Sequence, residues 1–387
     1  MLKKSLVIVM FSLLFVGCGS DDVDDSNKYL VESKMLVEVD NLAMGSTFGY
    51  KAYKIIYNTS YQGKSIKASG LLVLPTGYES IEGFSLSMVC DAHGTLFANK
   101  EIPTANFLPS ANPIGAGFSA TAGFMTIQPD YIGFGESSSV GHPYMLKEPL
   151  ADGSIDMIQA VIEFARENAI PINGQLFLSG YSEGGYATMA TLKELEESFD
   201  NTIKVMAAAP MAAPYNIDLM AQGILSSEMM PFSPFMGFVA HSYASYYDNI
   251  TLAQLISPPY LSAIPTLYDG SLTGMEIYPQ LTNMTQELFT LSQISSYFSN
   301  AEDTFKVAMV ENSIQNWTPT TKMRLYHCDE DPIIPFAFSQ EAYGQFMING
   351  ATDVELITLE GNDHGACAGI AYPQVIQWFA NVREGKE

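Results

Sequence analysis

The chain has 387 residues, with 18 Lys and Arg against 42 Asp and Glu, and a net charge of −24. A field of that sign repels phosphate backbones, so nucleic acid is excluded as an expected partner. Hydrophobic residues make up 47% of the chain and aromatic residues 12%. This composition excludes a disordered or low-complexity protein and predicts a large buried core.

The first 17 residues have the features of a secretory signal. Lys3 and Lys4 precede an apolar run from Leu6 to Val16, which is shorter than the roughly 20 residues that a bilayer-spanning helix needs. The run is followed by Gly17 and Cys18. Residues 15–18, Phe-Val-Gly-Cys, resemble a bacterial lipobox, which implies cleavage before Cys18 and lipidation of that cysteine.

An acidic tether follows Cys18. Four aspartates lie within residues 21–25, a density typical of a solvated segment. Gly19 resembles the outer-membrane sorting pattern, and residues 20–22 resemble the tethers of some surface-exported lipoproteins. We therefore expect an outer-membrane lipoprotein, exposed at the cell surface or otherwise held at the periplasmic face. The lipid on Cys18, rather than charge, would make the membrane contact.

Strands and helices alternate through the first half of the chain. Runs of β-branched and apolar residues predict strands at 50–58, 65–75, 84–90, 124–128, 175–178 and 203–207. Apolar residues at helical spacing predict helices at 152–168 and 183–198. Such alternation is typical of a parallel sheet with helices on both faces.

Residues 211–320 break this alternation. They are rich in Met, Phe, Tyr and Ser and predict a mostly helical insertion between two strands of one sheet. Further elements are predicted as strands at 323–326 and 354–358 and a last helix at 372–382. The predicted domains are a signal peptide at 1–17, a lipidated acidic tether and lead-in at 18–45, a core at 46–210 and 321–387, and a cap at 211–320.

The strongest local motif is Gly-Tyr-Ser-Glu-Gly at residues 180–184. A predicted strand precedes it and a predicted helix follows, which is the strand–elbow–helix setting of a nucleophilic serine. Ser182 would need an adjacent base, because a serine hydroxyl is a weak nucleophile at neutral pH. The chain has five histidines. His364 is the best candidate because it follows the last predicted strand, in a loop at the carboxyl edge of the sheet, where ligands bind.

An acid must fix the tautomer of this base. Asp329 and Asp331 both follow the predicted strand that ends near residue 327. We choose Asp331 as the acid and keep Asp329 as the alternative. The resulting order along the chain, Ser182, Asp331 and His364, is the nucleophile–acid–base order of α/β-hydrolases.

Acyl transfer also needs donors for the developing oxyanion. One expected donor is the backbone N–H of Glu183, directly after the nucleophile. The other should come from the loop after the third predicted strand, where Gly94 and Thr95 are candidates and Thr95 is preferred. His93 is expected to orient this loop.

Together these motifs resemble the α/β-hydrolase superfamily, and in particular its secretory-lipase branch. The matching segments are 68–70, 74–75, 93–95, 129–135, 180–185, 327–331 and 364–365. The resemblance implies a mostly parallel eight-stranded sheet flanked by helices, with a helical cap inserted after strand six. It also implies a serine esterase or lipase. Two positions depart from the branch: Cys328 stands where Gly is usual, and Glu183 stands where Gln is frequent.

Cys328 and Cys367 flank the candidate acid and base, on loops that we expect to be neighbours. A disulfide is permitted outside the cytoplasm. It would close a loop of about 40 residues and contribute about 4 kcal/mol in the chain-entropy model. Cys90 is expected to be buried in a strand.

The sequence contains no motif typical of a metal or cofactor site. The sequence contains no His-Glu-x-x-His and no Cys-x-x-Cys, so neither a metal nor another cofactor is predicted. The predicted function is an extracytoplasmic, lipid-anchored serine hydrolase that cleaves carboxylic esters of small molecules or lipids through an acyl-enzyme. The alternatives are a serine peptidase or acyltransferase with the same triad, and a non-catalytic surface binding protein. The apolar cap favours an ester, and the complete triad favours catalysis.

Overall fold

The computed structural model describes residues 29–40, 48–107, 116–197, 204–361 and 363–387. Cys18 and the rest of the predicted signal and tether through residue 28 lie outside the described residues. Within the described ranges, nine strands form one sheet: β1 (Leu30–Val39), β2 (Gly49–Tyr61), β3 (Lys64–Thr76), β4 (Leu86–Ala92), β5 (Phe124–Pro129), β6 (Ile172–Tyr181), β7 (Lys204–Met211), β8 (Met323–Cys328) and β9 (Val354–Leu359).

Across the sheet the order is β1-β2-β3-β5-β4-β6-β7-β8-β9. The neighbours β1, β2, β3 and β5 pair antiparallel, and all pairs from β5 to β9 are parallel. The mixed, mostly parallel sheet that the resemblance implied is therefore present.

One strand more than the expected eight is present in the described residues. The addition is β1, at the edge of the sheet, in a segment that we assigned to the lead-in. Most of its side chains are exposed, and Met35 is 53% exposed. Because β1 pairs with β2 alone and buries little, its sequence lacks the alternation that reveals a half-buried strand.

The parallel strands are buried on both faces. On β4, Met88 and Cys90 join the hydrophobic cluster that includes Met157. Val89, between them, joins a second cluster that includes Phe379. Because both faces are covered, such strands are continuous apolar runs in the sequence. In the described residues outside the segment between β7 and β8, the α-helices are α1 (Ala116–Thr121), α2 (Lys147–Glu167), α3 (Glu183–Glu197), α12 (Ala337–Ile348) and α13 (His364–Arg383).

The chain between β7 and β8, residues 212–322, is called the cap segment below. Its α-helices are short, and the longest has 14 residues. They are α4 (Ile217–Ser226), α5 (Ser233–Tyr246), α6 (Leu252–Leu255), α7 (Ile264–Leu267), α8 (Gly274–Ile277), α9 (Thr285–Leu288), α10 (Leu291–Ser299) and α11 (Thr304–Glu311). No helix of the described ranges has the length and apolar character needed to cross a membrane.

The last helix begins earlier than the sequence predicted. It starts at His364 rather than at residue 372, so His364 lies at a helix N-terminus and not in a loop. The Asp363 side chain caps this end by accepting the Ala366 N–H at 2.8 Å. Pro373 lies inside the helix. A proline at this position disfavours helix in the residues before it, so the sequence did not predict helix there. Burial of residues such as Cys367 and Ala371 against the sheet outweighs that local preference.

Candidate active site

Ser182 occupies a sharp turn between β6 and α3. Its φ is 61°, a left-handed conformation that costs free energy for a residue other than glycine. Backbone hydrogen bonds hold it there: the Ser182 N–H donates to the Met211 carbonyl at 2.9 Å, and the Ser182 carbonyl accepts the Tyr186 N–H at 3.1 Å. The turn projects the serine from the carboxyl edge of the sheet.

Glycines are required around this turn because backbones approach closely. A Cβ at Gly184 would lie 1.9 Å from the carbonyl oxygen of Ala92, at the end of β4. A Cβ at Gly180 would lie 2.2 Å from the carbonyl oxygen of Gly184. The spacing of glycines in the motif therefore follows from the packing of the elbow onto the neighbouring strand.

The acid and the base lie together at the same edge. His364 Nδ1 donates to Asp331 Oδ2 at 2.5 Å. The other oxygen, Asp331 Oδ1, accepts the N–H groups of Ile333 at 2.9 Å and Ile334 at 3.0 Å. His364 Nε2 is shielded from solvent and has no hydrogen-bond partner among the described residues. The imidazole is therefore held with its proton on Nδ1 and its basic nitrogen free.

Asp331 is the ionised member of this pair. Burial favours its neutral form, but hydrogen bonds from His327 and His364 outweigh burial and hold the pKa of Asp331 well below its usual value. Asp329, the alternative acid, is exposed, and its Oδ1 accepts the Gly361 N–H at 3.2 Å. The structure thus brings Asp331, and not Asp329, to His364.

His327 supports the loop that carries the acid. Its ring is buried, and Nε2 donates to the Ile334 carbonyl at 2.8 Å while lying 3.5 Å from Asp331 Oδ2. The Ser339 hydroxyl is 2.7 Å from Nδ1 and is the donor when His327 is neutral. This histidine fixes the turn around Asp331 rather than reaching the reacting atoms.

The start of α13 is fixed from two sides. Cys328, at the end of β8, is disulfide-bonded to Cys367 in the first turn of α13, with Cα atoms 6.1 Å apart. The Tyr181 hydroxyl donates to the carbonyl oxygen of His364 at 2.6 Å. These contacts tie the base to the strands that carry the acid and the nucleophile.

The candidate oxyanion donors lie on the loop of residues 93–95 and at the start of α3. A Cβ on Gly94 would lie 3.7 Å from Ser182 Cβ, so this loop runs beside the nucleophile. His93 Nδ1 donates to the Gly94 carbonyl at 2.8 Å, which fits its expected role in orienting the loop. The Thr95 hydroxyl hydrogen-bonds the Tyr144 hydroxyl at 3.1 Å. Glu183 is the first residue of α3, where backbone N–H groups have no partner within the helix.

Comparison with known protein families identifies the chain. A family model described as secretory lipase matches residues 119–387. The chain belongs to the secretory lipase family. Membership makes it a carboxylic ester hydrolase, and the family description indicates a secreted protein. A search of curated protein sequences found no match.

Solved structures share the fold over nearly the whole chain. A protein from Legionella pneumophila is 25% identical, with a TM-score of 0.83, 92% of this chain covered and 98% of that chain. The rice cell wall degrading esterase LipA from Xanthomonas oryzae is 22% identical, with a TM-score of 0.78 and coverages of 92% and 97%. Candida antarctica lipase A in its closed state is 13% identical, with a TM-score of 0.70 and coverages of 92% and 82%.

Two further side chains of this secretory lipase, which the sequence did not indicate, contact the side chains of the candidate oxyanion donors Thr95 and Glu183. Tyr144 reaches Thr95, as described above. His142 Nε2 lies 2.8 Å from Glu183 Oε1, and both side chains are buried. The one available signal was Glu183 itself, because an acid directly after the nucleophile, at the start of a buried helix, needs a partner. Nothing in the local sequence marked His142 as that partner.

An apolar cavity lies where the cap segment meets the core. It is lined by Met145, Ile217, Met220, Ala221, Ile224, Leu225, Met236, Val239, Phe289, Phe305 and Met309. One lining residue, Met145, directly follows Tyr144, whose hydroxyl hydrogen-bonds the Thr95 hydroxyl. Within the described ranges, no group of three or more His, Cys, Asp or Glu side chains is arranged to hold a metal ion.

Proposed function

We propose that Ser182 is the nucleophile of this ester hydrolase, with His364 as its base and Asp331 as the acid that orients the base. The observation that carries the proposal is the hydrogen bond from His364 Nδ1 to Asp331. Among the described residues, it leaves His364 Nε2 without a hydrogen-bond partner, at the edge where the strained elbow presents Ser182. This arrangement suits a base that must accept a serine proton.

Acylation follows from these positions. Ser182 Oγ attacks the ester carbonyl carbon while His364 Nε2 takes the hydroxyl proton. The resulting oxyanion accepts hydrogen bonds from the backbone N–H of Glu183 and from the N–H of Thr95 or Gly94. As the carbon–oxygen bond to the alcohol breaks, His364 returns the proton to the leaving alcohol. Asp331 remains ionised and stabilises the imidazolium.

Deacylation repeats the steps with water. Water attacks the Ser182 ester carbonyl as His364 Nε2 takes one of its protons. The intermediate collapses, the proton returns to Ser182 Oγ, and the free carboxylic acid leaves. The apolar cavity beside Met145 is proposed to hold the acyl chain, because its lining residues are all apolar.

We also propose that the protein is an outer-membrane lipoprotein anchored through Cys18. The support is the sequence of residues 1–18, with two lysines, an apolar run and a terminal Phe-Val-Gly-Cys. Labelled palmitate should enter the full-length chain in bacterial cells but not a Cys18→Ser variant. Equal labelling of both would exclude this anchor.

The catalytic proposal is tested with protein starting at Lys28. p-Nitrophenyl esters with acyl groups from two to sixteen carbons would be assayed with wild type, Ser182→Ala and the exposed control Ser299→Ala. We expect hydrolysis by wild type and the control and its loss in Ser182→Ala. Hydrolysis that persists in Ser182→Ala would overturn the proposal. Fluorophosphonate labelling of Ser182 without ester turnover would favour a peptidase or an acyltransferase.

A further inference from the structure

An acid directly follows the proposed nucleophile and is completely buried. Glu183 is 0% exposed. Its Oε1 lies 2.8 Å from His142 Nε2, and its Oε2 has no hydrogen-bond partner among the described residues. A buried carboxylate left without a compensating charge is costly. A negative charge on Glu183 would also lie next to the site where negative charge develops during catalysis.

The hydrogen bonds of His142 show how the negative charge of Glu183 is compensated. His142 Nδ1 lies 2.8 Å from the Ile132 carbonyl oxygen, which can only accept, so Nδ1 carries a proton. His142 Nε2 and Glu183 Oε1 then share one further proton, because a hydrogen bond between them needs one. Whichever atom holds that proton, the pair has no net charge.

Other titratable groups around the pair do not supply a positive charge. Burial lowers the pKa of His93 and raises the pKa of Tyr131 and Tyr144, so all three are neutral near pH 7. Asp130, which faces His93, can only be neutral or negative. Compensation of Glu183 therefore depends on His142.

Aromatic rings surround His142 and exclude water from it. The ring centroids of Phe134 and Phe238 lie 4.8 Å and 5.4 Å from the His142 ring. Phe238, from the cap segment, also stacks on Tyr144 at 4.7 Å. One loop, which carries His142 and Tyr144, thus binds the side chains of both candidate donor residues, Glu183 and Thr95. The cap segment covers this loop. In so dry a site, charges act more strongly than in water.

We propose that His142 is a positioning residue whose role is to keep negative charge of the Glu183 carboxyl group out of the oxyanion hole. The inference rests on the proposed function, since it assumes that the Glu183 N–H binds the oxyanion. The length of a glutamate side chain sets the separation of its charge from that site at about 7 Å for the Coulomb estimate. At an effective dielectric of about 20, one uncompensated charge at this distance slows the reaction about 50-fold.

A double-mutant comparison of the full chain tests this role. His142→Phe keeps an aromatic ring in the cluster but leaves Glu183 uncompensated. We expect it to lower kcat for a p-nitrophenyl ester about 50-fold, with KM changed less than threefold. In a Glu183→Gln background, the same His142→Phe substitution should lower kcat less than fivefold. The matched control is His241→Phe, at a half-buried histidine that stacks on Tyr268 in the cap segment; its kcat should stay within twofold of wild type.

Equal losses in the two backgrounds would overturn the proposal, because His142 would then act through packing alone. If His142→Phe fails to fold, His142→Gln provides a second test. Its kcat should fall with KM changed less than threefold, and most of that loss should be absent from His142→Gln in the Glu183→Gln background. An equal loss of kcat from His142→Gln in both backgrounds would also overturn the proposal. Failure of the proposed function has a separate signature, which is ester hydrolysis that survives Ser182→Ala.

Discussion

The carboxyl edge of the sheet and the cap segment hold their side chains by different means. At the edge, directional polar contacts fix each candidate catalytic group. Asp331, for example, accepts hydrogen bonds from His364 and from two backbone N–H groups. In the cap segment, the side chains that line the cavity are apolar and pack in the hydrophobic core, among them Phe289 and Phe305.

This difference has a functional meaning. Proton transfer and oxyanion binding tolerate errors of only a fraction of an ångström, which directional contacts can enforce. An acyl chain has no such requirement, so a pocket of flexible methionines and aromatic rings is sufficient for it. Substitutions at the edge should therefore reduce catalysis of all esters, whereas substitutions in the cap segment should alter the choice among esters.

The largest effect is expected at the acid. Asp331→Asn keeps the size of the side chain but removes the charge that holds His364 in its tautomer, so kcat/KM should fall by about three to four orders of magnitude for every ester. Asp329→Asn, an exposed aspartate two residues away, is the matched control and should retain activity. Steady-state kinetics on short and long p-nitrophenyl esters measure both. A comparable loss in Asp329→Asn would contradict the assignment.

The same contrast explains what the sequence could predict. Ser182, Asp331 and His364 each follow a strand with a strong apolar pattern, so topology alone brings them to one edge. The pair of His142 and Glu183 could not be found in this way. Its members are 41 residues apart, on a loop and a helix whose approach depends on tertiary packing.

Secondary structure was missed where local preference and tertiary burial disagree. β1 is paired on one side and mostly exposed, so no alternation marks it. The first turns of α13 contain Gly365, and Pro373 follows later in the helix, yet packing against the sheet keeps them helical. In the cap segment the sequence indicated helices in general, but several have only four residues, too few for a periodic signal.

Beneath the edge, the buried carboxyl group of Asp91 should make stability depend on pH. Asp91, near the end of β4, accepts hydrogen bonds from Ser179 at 2.7 Å and Gln128 at 2.8 Å. Burial nevertheless raises its pKa from 3.8 to about 6. Because the folded state then binds the proton more tightly than the unfolded state, the contribution of Asp91 to stability is greatest below pH 4. It declines as pH rises through about 6, by about 3 kcal/mol in total.

Urea unfolding of wild type and Asp91→Asn from pH 4 to 7 isolates this effect. The difference in unfolding free energy, wild type minus variant, should fall across that interval and level off toward pH 7. Asp331 does not interfere, because both proteins carry it and its contribution cancels in the difference. A difference that stays constant with pH would show that Asp91 ionises alike in the folded and unfolded states.

The smallest expected effect belongs to the cap segment. Ala221 lies on α4 and lines the apolar cavity, so Ala221→Phe should fill part of the space proposed for the acyl chain. We expect kcat/KM to fall about tenfold for long-chain esters and to change little for two-carbon esters, since a few lost methylene contacts are worth 1–3 kcal/mol. Gly223→Ala, on the same helix at a position with no neighbouring atoms within 4 Å, is the control. An equal loss for short and long esters would place the acyl chain elsewhere and remove the functional contrast between the edge and the cap segment.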